Sequence, residues 1–360
     1  MTFLKNNKVT FIQLGVWLLL LGLTALIGKE SFGWALNSSI DWTICYLLLA
    51  LAMIATIKTS AGLNFGVPIG IVCGYFAVIL AIQFSFTGFG WLAVSIVLAL
   101  LFSALAGFGY GKLLGRVKGS GGTNLMLTFF IGVAAVAIMN FICSIISFGN
   151  SANILPGETG LRMPINVGSS TRILSSFLQF NLGKVSIPLG LILIQVAVGF
   201  AVWYFLFREK GIVADERAEA TTVTTASKNK EVTAAMISTA IGSLFAVVYV
   251  QNMGTINAYT DITMYTIMPV AAAIFLGGVS LKKATVSQVV MGVLLFSGLW
   301  VLLSQPGSTF DNTSLADALW ADDIKTKFTY IRALLQYAII TYAIIMSFWR
   351  RNIYGQPEDK

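Results

Sequence analysis

Apolar residues along this chain gather into long runs that charged residues interrupt only at their ends. A bilayer core about 30 Å thick takes roughly 20 apolar residues per crossing helix. Ten runs approach that length: 9–27, 40–57, 66–82, 91–114, 123–146, 186–207, 232–250, 264–281, 286–303 and 329–349. The third and eighth are broken by glycine, proline and small residues. Backbone groups in lipid must pair within the chain, and continuous runs of this length do so as helices. The pattern therefore predicts an all-α integral membrane protein. It is a single transmembrane domain over 1–360, a polytopic bundle of about ten transmembrane helices, some of them interrupted.

Composition points the same way. Apolar types make up 57% of the 360 residues and charged types 11%, less than half the roughly 25% of a soluble domain. Mean hydropathy is +0.83. The first run is too long for a cleavable leader, and no small-residue cleavage site follows it.

The net charge of +8 is accounted for by its distribution. With both termini cytoplasmic, sixteen of the 23 Lys and Arg fall on the inner segments and seven on the outer ones. The inverted placement breaks the positive-inside rule. The carboxylates divide seven inside and eight outside, so the bias resides in the cations. No nucleic-acid partner is needed to explain it.

Three connections are long. Segments 149–185 and 304–328 fall outside, the second carrying Asp311, Asp317, Asp322 and Asp323. Segment 208–231 falls inside and holds ten charges.

Several chemistries drop out. The chain has no histidine, which removes Ser-His-Asp and Cys-His nucleophiles and His-ligated metals. Cys45, Cys73 and Cys143 each lie inside an apolar run and read as small core residues. Neither a cofactor nor a metal site is implied. The cluster Gly107, Gly109, Gly111 and Lys112 lacks the spacing of an ATP-binding loop. Gly107, Gly111 and Gly115, like Gly66, Gly70 and Gly74, recur every fourth residue, which favours close helix packing.

The runs hold no ionisable residue near their middles; Asp41, Asp261 and Arg332 stand at or near ends. Carriers driven by protons or sodium generally keep such a group at membrane depth. The interior polar groups here are amides and hydroxyls, among them Asn140, Gln195, Ser238, Thr239 and Ser297. Helix interruptions are the best sequence pointers to a solute site. One lies at Ser60 to Pro68, where Gly62 and Gly66 permit unusual backbone angles, Asn64 is a cap candidate and Pro68 suits a first helical turn. On the outer side Gln251, Asn252, Asn257 and Tyr259 belong to a dense amide and hydroxyl cluster. These residues form the expected substrate path, with Asn64, Asn140 and Gln195.

The stretch from Ala271 through Phe275 to Gly277, Gly278, Val279 and Ser280, followed by Lys282, Lys283 and a helix bearing Gly292, resembles the C-terminal signature of ribose/galactose-type ABC importer permeases. Ala61, Gly62, Leu63, Asn64 and Gly66 are similar to the family's first-half turn, with Asn64 where the family has Asp and Pro68 intruding. The charged inner loop lacks the family's Gly-x-Asn element. The resemblance implies a permease subunit in a bacterial inner membrane. Its partners would be a second permease subunit, cytoplasmic ABC ATPase subunits and an extracytoplasmic solute-binding protein. The ATPase would push on the inner loop, where Gly211, Asp215, Glu216, Arg217 and Glu219 are the coupling candidates. The cargo implied is a small polar solute, a sugar first, a nucleoside or riboflavin-like molecule next. The chain itself is then no enzyme. The alternatives are a stand-alone channel or facilitator, a secondary carrier and a membrane-embedded transferase.

Overall fold

The computed structural model describes residues 31–58, 64–84, 86–117, 125–145, 165–166, 173–183, 185–207, 225–253, 255–256, 268–277 and 286–309, with single helical positions between 15 and 19 and between 334 and 345. These residues are mostly helical. The helices are α1 (Ser31–Lys58), α2 (Val67–Gln83), α3 (Gly88–Val117), α4 (Leu125–Ile145), α5 (Ile173–Ser176), α6 (Leu189–Phe207), α7 (Thr225–Met253), α8 (Met268–Leu276) and α9 (Val286–Thr309). Two small antiparallel ladders accompany them: β1 (Ile165–Asn166) with β4 (Thr255–Ile256), and β2 (Gln179–Leu182) with β3 (Val185–Pro188).

Among the described residues, three helical stretches are long and apolar enough to cross a membrane: Leu36–Thr56, Gly88–Arg116 and Glu231–Asn252. The last, 22 residues, spans about 33 Å at 1.5 Å per residue. Shorter apolar helices stand beside them at Val67–Gln83, Phe130–Met139, Leu189–Ala201 and Gln288–Trp300.

Helix α7 is the hub. Helices α1, α2 and α3 all pack on it, and α9 and α6 pack on α1. Small residues allow this. A Cβ on Gly70 would overlap the Thr239 carbonyl, and one on Gly74 would press on Ser243 and Ala246, so α2 and α7 run parallel with their backbones nearly touching. On α3, Gly107 meets Met236 and Thr239 while Gly111 meets Val232, which sets α3 antiparallel to α7. The close-packing reading of the glycine ladders holds at these positions. Gly115 departs from it, since a Cβ there would meet nothing within 4 Å.

The outward faces are apolar. Val97, Leu101, Leu105 and Phe108 form one exposed stripe on α3, and Leu189, Leu193, Val196 and Phe200 form another on α6. In water such faces would be unstable; against lipid tails they are not.

Helix boundaries differ from the runs where polar residues extend a helix already begun. Helix α1 starts at Ser31 and α7 at Thr225, because propagation over Ser, Asn and Lys adds a backbone bond per residue without a new nucleus. Helix α9 continues through Pro306 to Thr309. Residues 186–188, expected to open the sixth span, are instead in β3, and the helix begins after Pro188. The eighth run is helical over nine residues, Met268–Leu276, before Gly277 turns the chain. Runs 9–27 and 329–349 are described only at scattered helical positions.

Candidate functional site

The polar groups within the bundle gather at two levels along α7. The deeper level surrounds the turn between α1 and α2. Asn64, Phe65 and Gly66 are all buried, so the part of the break that leads into α2 is wrapped in protein. The Asn64 carboxamide holds it from both ends: Oδ1 accepts the Gly66 N–H at 2.8 Å, and Nδ2 donates to Ser238 Oγ at 2.8 Å. Gly132 of α4 lies against the Phe65 backbone, and the Tyr110 ring covers Gly66. Gly66, not Asn64, occupies the cap position of α2, with Pro68 in the first turn. Asn64 acts from two residues upstream, an Asx turn that satisfies one N–H ahead of the helix.

Beside it, Thr239 Oγ1 lies 3.1 Å from Ser103 O and also within 3.0 Å of Ala235 O. Ser243 Oγ is 3.1 Å from Ser103 Oγ. Ser238 is seven residues into the span that starts at Glu231, about 10 Å along the helix. Irregular backbone at that depth persists only where protein covers it.

The second level rings the middle of α1. Thr43 Oγ1 bonds Ser297 Oγ of α9, and Gln195 of α6 donates through Nε2 to the Ile44 carbonyl. Asn252 Nδ2 lies 3.8 Å from Cys45 Sγ. Gln251, fully buried, accepts the Ile173 N–H at 2.9 Å and reaches the Leu174 N–H at 3.4 Å, so α7 ties down α5. Ser186 N–H donates to Asn37 Oδ1 at 2.8 Å. A run of rings passes from α1 to α9 just here: Trp42 stacks on Tyr46 at 5.2 Å, Tyr46 meets Phe296 edge-on, and Phe296 stacks on Trp300 at 5.5 Å. Among the described residues, three buried polar atoms have no hydrogen-bond partner: Trp91 Nε1, Ser95 Oγ and Gln195 Oε1.

Of the expected path residues, Asn64 therefore sits at the deeper level, and Gln195, Gln251 and Asn252 at the other. Each joins one element to another. Gln195 and Asn252 converge on adjacent residues of α1. Asn140 is in α4, but its side chain lies outside the described residues, as do Asn257, Tyr259, Gly62, Gly278, Ser280 and the coupling candidates Gly211, Asp215, Glu216, Arg217 and Glu219. Gly277 of the helix-turn motif is described: it abuts the Gln288 carbonyl and Gly292, so α8 and α9 meet backbone to backbone.

Thr43, Ser95, Ser103 and Ser243 were not singled out by the sequence. A signal existed for three of them. Positions 95, 99, 103, 107 and 111 read Ser, Ala, Ser, Gly, Gly, and 235, 239 and 243 read Ala, Thr, Ser, both small-residue ladders at helical spacing. Among the described residues no three His, Cys, Asp or Glu side chains gather as a metal site.

Together the helices and their polar levels define a mostly helical protein with apolar helices of membrane-crossing length. No family model, curated protein or solved structure matches the chain.

Proposed function

We propose that this chain is the transmembrane permease subunit of an ATP-binding-cassette importer, lining the path of a small polar solute in a bacterial inner membrane. The cargo is a sugar first, a nucleoside or riboflavin-like molecule next. It crosses the bilayer about ten times with both termini cytoplasmic, pairs with a second permease subunit and takes solute from an extracytoplasmic binding protein. Cytoplasmic ATPase subunits drive it through the charged segment 208–231.

One observation carries the reading. Within the described spans the fully buried hydrogen-bonding side chains are neutral, such as Asn64, Ser238, Thr239 and Ser243, while Lys112, Arg116 and Glu231 stand toward the ends of their spans and the half-buried Asp41 lies five residues into Leu36–Thr56. Neutral groups bind and release a polar solute, yet none of them gains or loses charge to couple its movement to an ion gradient. The energy then comes from another chain. Trp42 and Trp300, half-buried at the two ends of the Trp42–Tyr46 and Phe296–Trp300 stacks, supply ring surface on the same helices as the polar contacts at Thr43, Cys45 and Ser297, the mixture that both sugars and planar heterocycles use.

The test is uptake in vesicles. With the partner ATPases present, accumulation should follow ATP hydrolysis and survive collapse of the proton gradient. Accumulation against a gradient by the purified chain alone refutes the proposal; downhill flux alone, without ATPases, identifies a channel or facilitator instead.

A further inference from the structure

The segment between α5 and α6 forms a β-hairpin that the run pattern divides between an outer loop, through 185, and the start of the sixth span at 186. Gln179 pairs with Pro188, Phe180 with Ile187, Asn181 with Ser186 and Leu182 with Val185. Two residues connect the strands, and the first, Gly183, has φ +62°, the left-handed conformation such short connections favour. Leu178 enters the hairpin with φ +62° as well, held there as its carbonyl accepts the Leu189 N–H at 3.1 Å. The base is thus closed, and Asn37 of α1 holds Ser186 from the side.

Directly paired residues share a face of an antiparallel ladder. One face consists of Phe180, Leu182, Val185 and Ile187, all apolar. The other carries Gln179, Asn181, Ser186 and Pro188. Every residue of β2 is exposed, Phe180 at 51% and Leu182 at 57%. Val185 and Ile187 are half-buried where β3 packs on α1, so Phe180 and Leu182 are the apolar side chains fully displayed, and a two-stranded ladder that displays them is poorly placed in water.

We propose that this hairpin lies in the membrane surface, its Phe180/Leu182 face in the lipid headgroup and acyl boundary and its Gln179/Asn181 face toward water. The occupant is lipid because the exposed apolar surface is continuous with the outward faces of two spans. Pro188 leads directly into α6, whose exposed stripe of Leu189, Leu193, Val196 and Phe200 begins at the hairpin base. On the other side the Phe177 ring meets Phe89 edge-on at 5.5 Å, and Phe89, with Phe84 and Phe86, forms the exposed rim where α3 begins. Amphipathic segments of this kind settle about 5–10 Å into the interface. The inference requires the membrane but not the transport reading.

The test places one nitroxide at a time on the full chain in phosphatidylcholine/phosphatidylglycerol vesicles, with Cys45→Ala, Cys73→Ala and Cys143→Ala removing native thiols. Collision rates with oxygen, which partitions into lipid, and with a water-soluble nickel chelate are compared at Gln179→Cys, Phe180→Cys, Asn181→Cys and Leu182→Cys. Leu193→Cys is the reference for a lipid-facing site. The oxygen-to-nickel ratio should alternate several-fold, high at 180 and 182, low at 179 and 181. Nickel-favoured readings at all four positions mean the hairpin stands in water and overturn the proposal. Protection of 180 and 182 from both reagents means protein covers them and overturns it equally, pointing to a partner chain. Should the cysteine-free chain not insert, hydroxyl-radical footprinting of the unaltered chain in nanodiscs reads the same contrast. Phe177 and Phe180 should oxidise as weakly as Phe200, and oxidation several-fold above it refutes lipid burial.

Discussion

Replacing Gly70 and Gly109 with alanine should move stability in opposite directions, although both glycines are helical and the chemical change is identical. In an exposed helix interior alanine is favoured over glycine by about 1 kcal/mol, chiefly because glycine loses more backbone freedom on folding. Gly109 is such a site: it is exposed, and a Cβ there would meet nothing within 4 Å. At Gly70 the new methyl overlaps the Thr239 carbonyl of α7, with Thr239 C at 2.8 Å. That neighbour is backbone and has no rotamer to change, so α2 has to move off α7. Overpacking of this kind costs about 1–3 kcal/mol. After the propensity gain is subtracted, we expect Gly70→Ala to lose up to about 2 kcal/mol and Gly109→Ala to gain up to about 1. Thermal unfolding in nanodiscs, followed by circular dichroism, orders the two against the wild type. A Gly70→Ala protein that melts with or above Gly109→Ala refutes the interlocked packing of α2 on α7.

Three further outcomes follow from named contacts. Asn64→Ala leaves the buried Gly66 N–H unpartnered and releases Ser238 Oγ, so a loss of about 2–3 kcal/mol is expected; a double-mutant cycle with Ser238→Ala should show coupling, and strictly additive effects refute the link. Gln251→Ala frees the Ile173 N–H, and hydrogen exchange at that amide should quicken roughly fivefold for about 1 kcal/mol of lost bond. Unchanged exchange there means that other contacts hold α5. Charge reversal at Glu216 and Arg217 together should uncouple ATP hydrolysis from uptake while insertion persists, and wild-type uptake in that variant rules out this stretch as the coupling surface.

Long apolar runs were legible because the membrane imposes one period and one length on a span, and the helical stretches 40–57, 67–82, 91–114, 125–145, 189–207, 232–250 and 286–303 lie within runs read from that alone. The glycine ladders were legible too, since backbone contact demands small residues every fourth position. Partner choice was not: nothing local to Gly70 names Thr239, and nothing near Asn64 names Ser238, 174 residues away. The hairpin was hidden for a different reason. Its alternation of Phe180, Leu182, Val185 and Ile187 with polar neighbours is plain at period two, but a window tuned to helical spans of about 20 residues averages it into the start of α6. Polar extensions of α1, α7 and α9 escaped because hydropathy reports solvent preference, while helix propagation responds to backbone bonding.

The two kinds of contact around α7 differ in how they yield to force, and that difference bears on movement. Hydrogen bonds between membrane helices are weak latches, averaging about 0.6 kcal/mol, because a separated helix finds other partners. Gln195 on Ile44, Thr43 on Ser297 and Asn252 on Cys45 are latches of this sort, and they attach α6, α9 and α7 to α1. Glycine contacts are steric: Gly70 and Gly74 against Thr239 and Ser243, and Gly107 and Gly111 against Thr239 and Val232, fit in one register only, since a slip of one residue brings side chains into backbone. Helices α2, α3 and α7 are therefore joined as one body, and α6 and α9 are fastened to α1 at points that exchange cheaply. A push delivered to the segment before α7 would move the glycine-locked trio as a unit, and the bundle would part first at the amide and hydroxyl latches around Ile44 and Cys45. Those latches border the Trp42 to Trp300 ring run, so under the proposed permease reading the place that opens most cheaply would also bring amides beside the half-buried Trp42 and Trp300 rings.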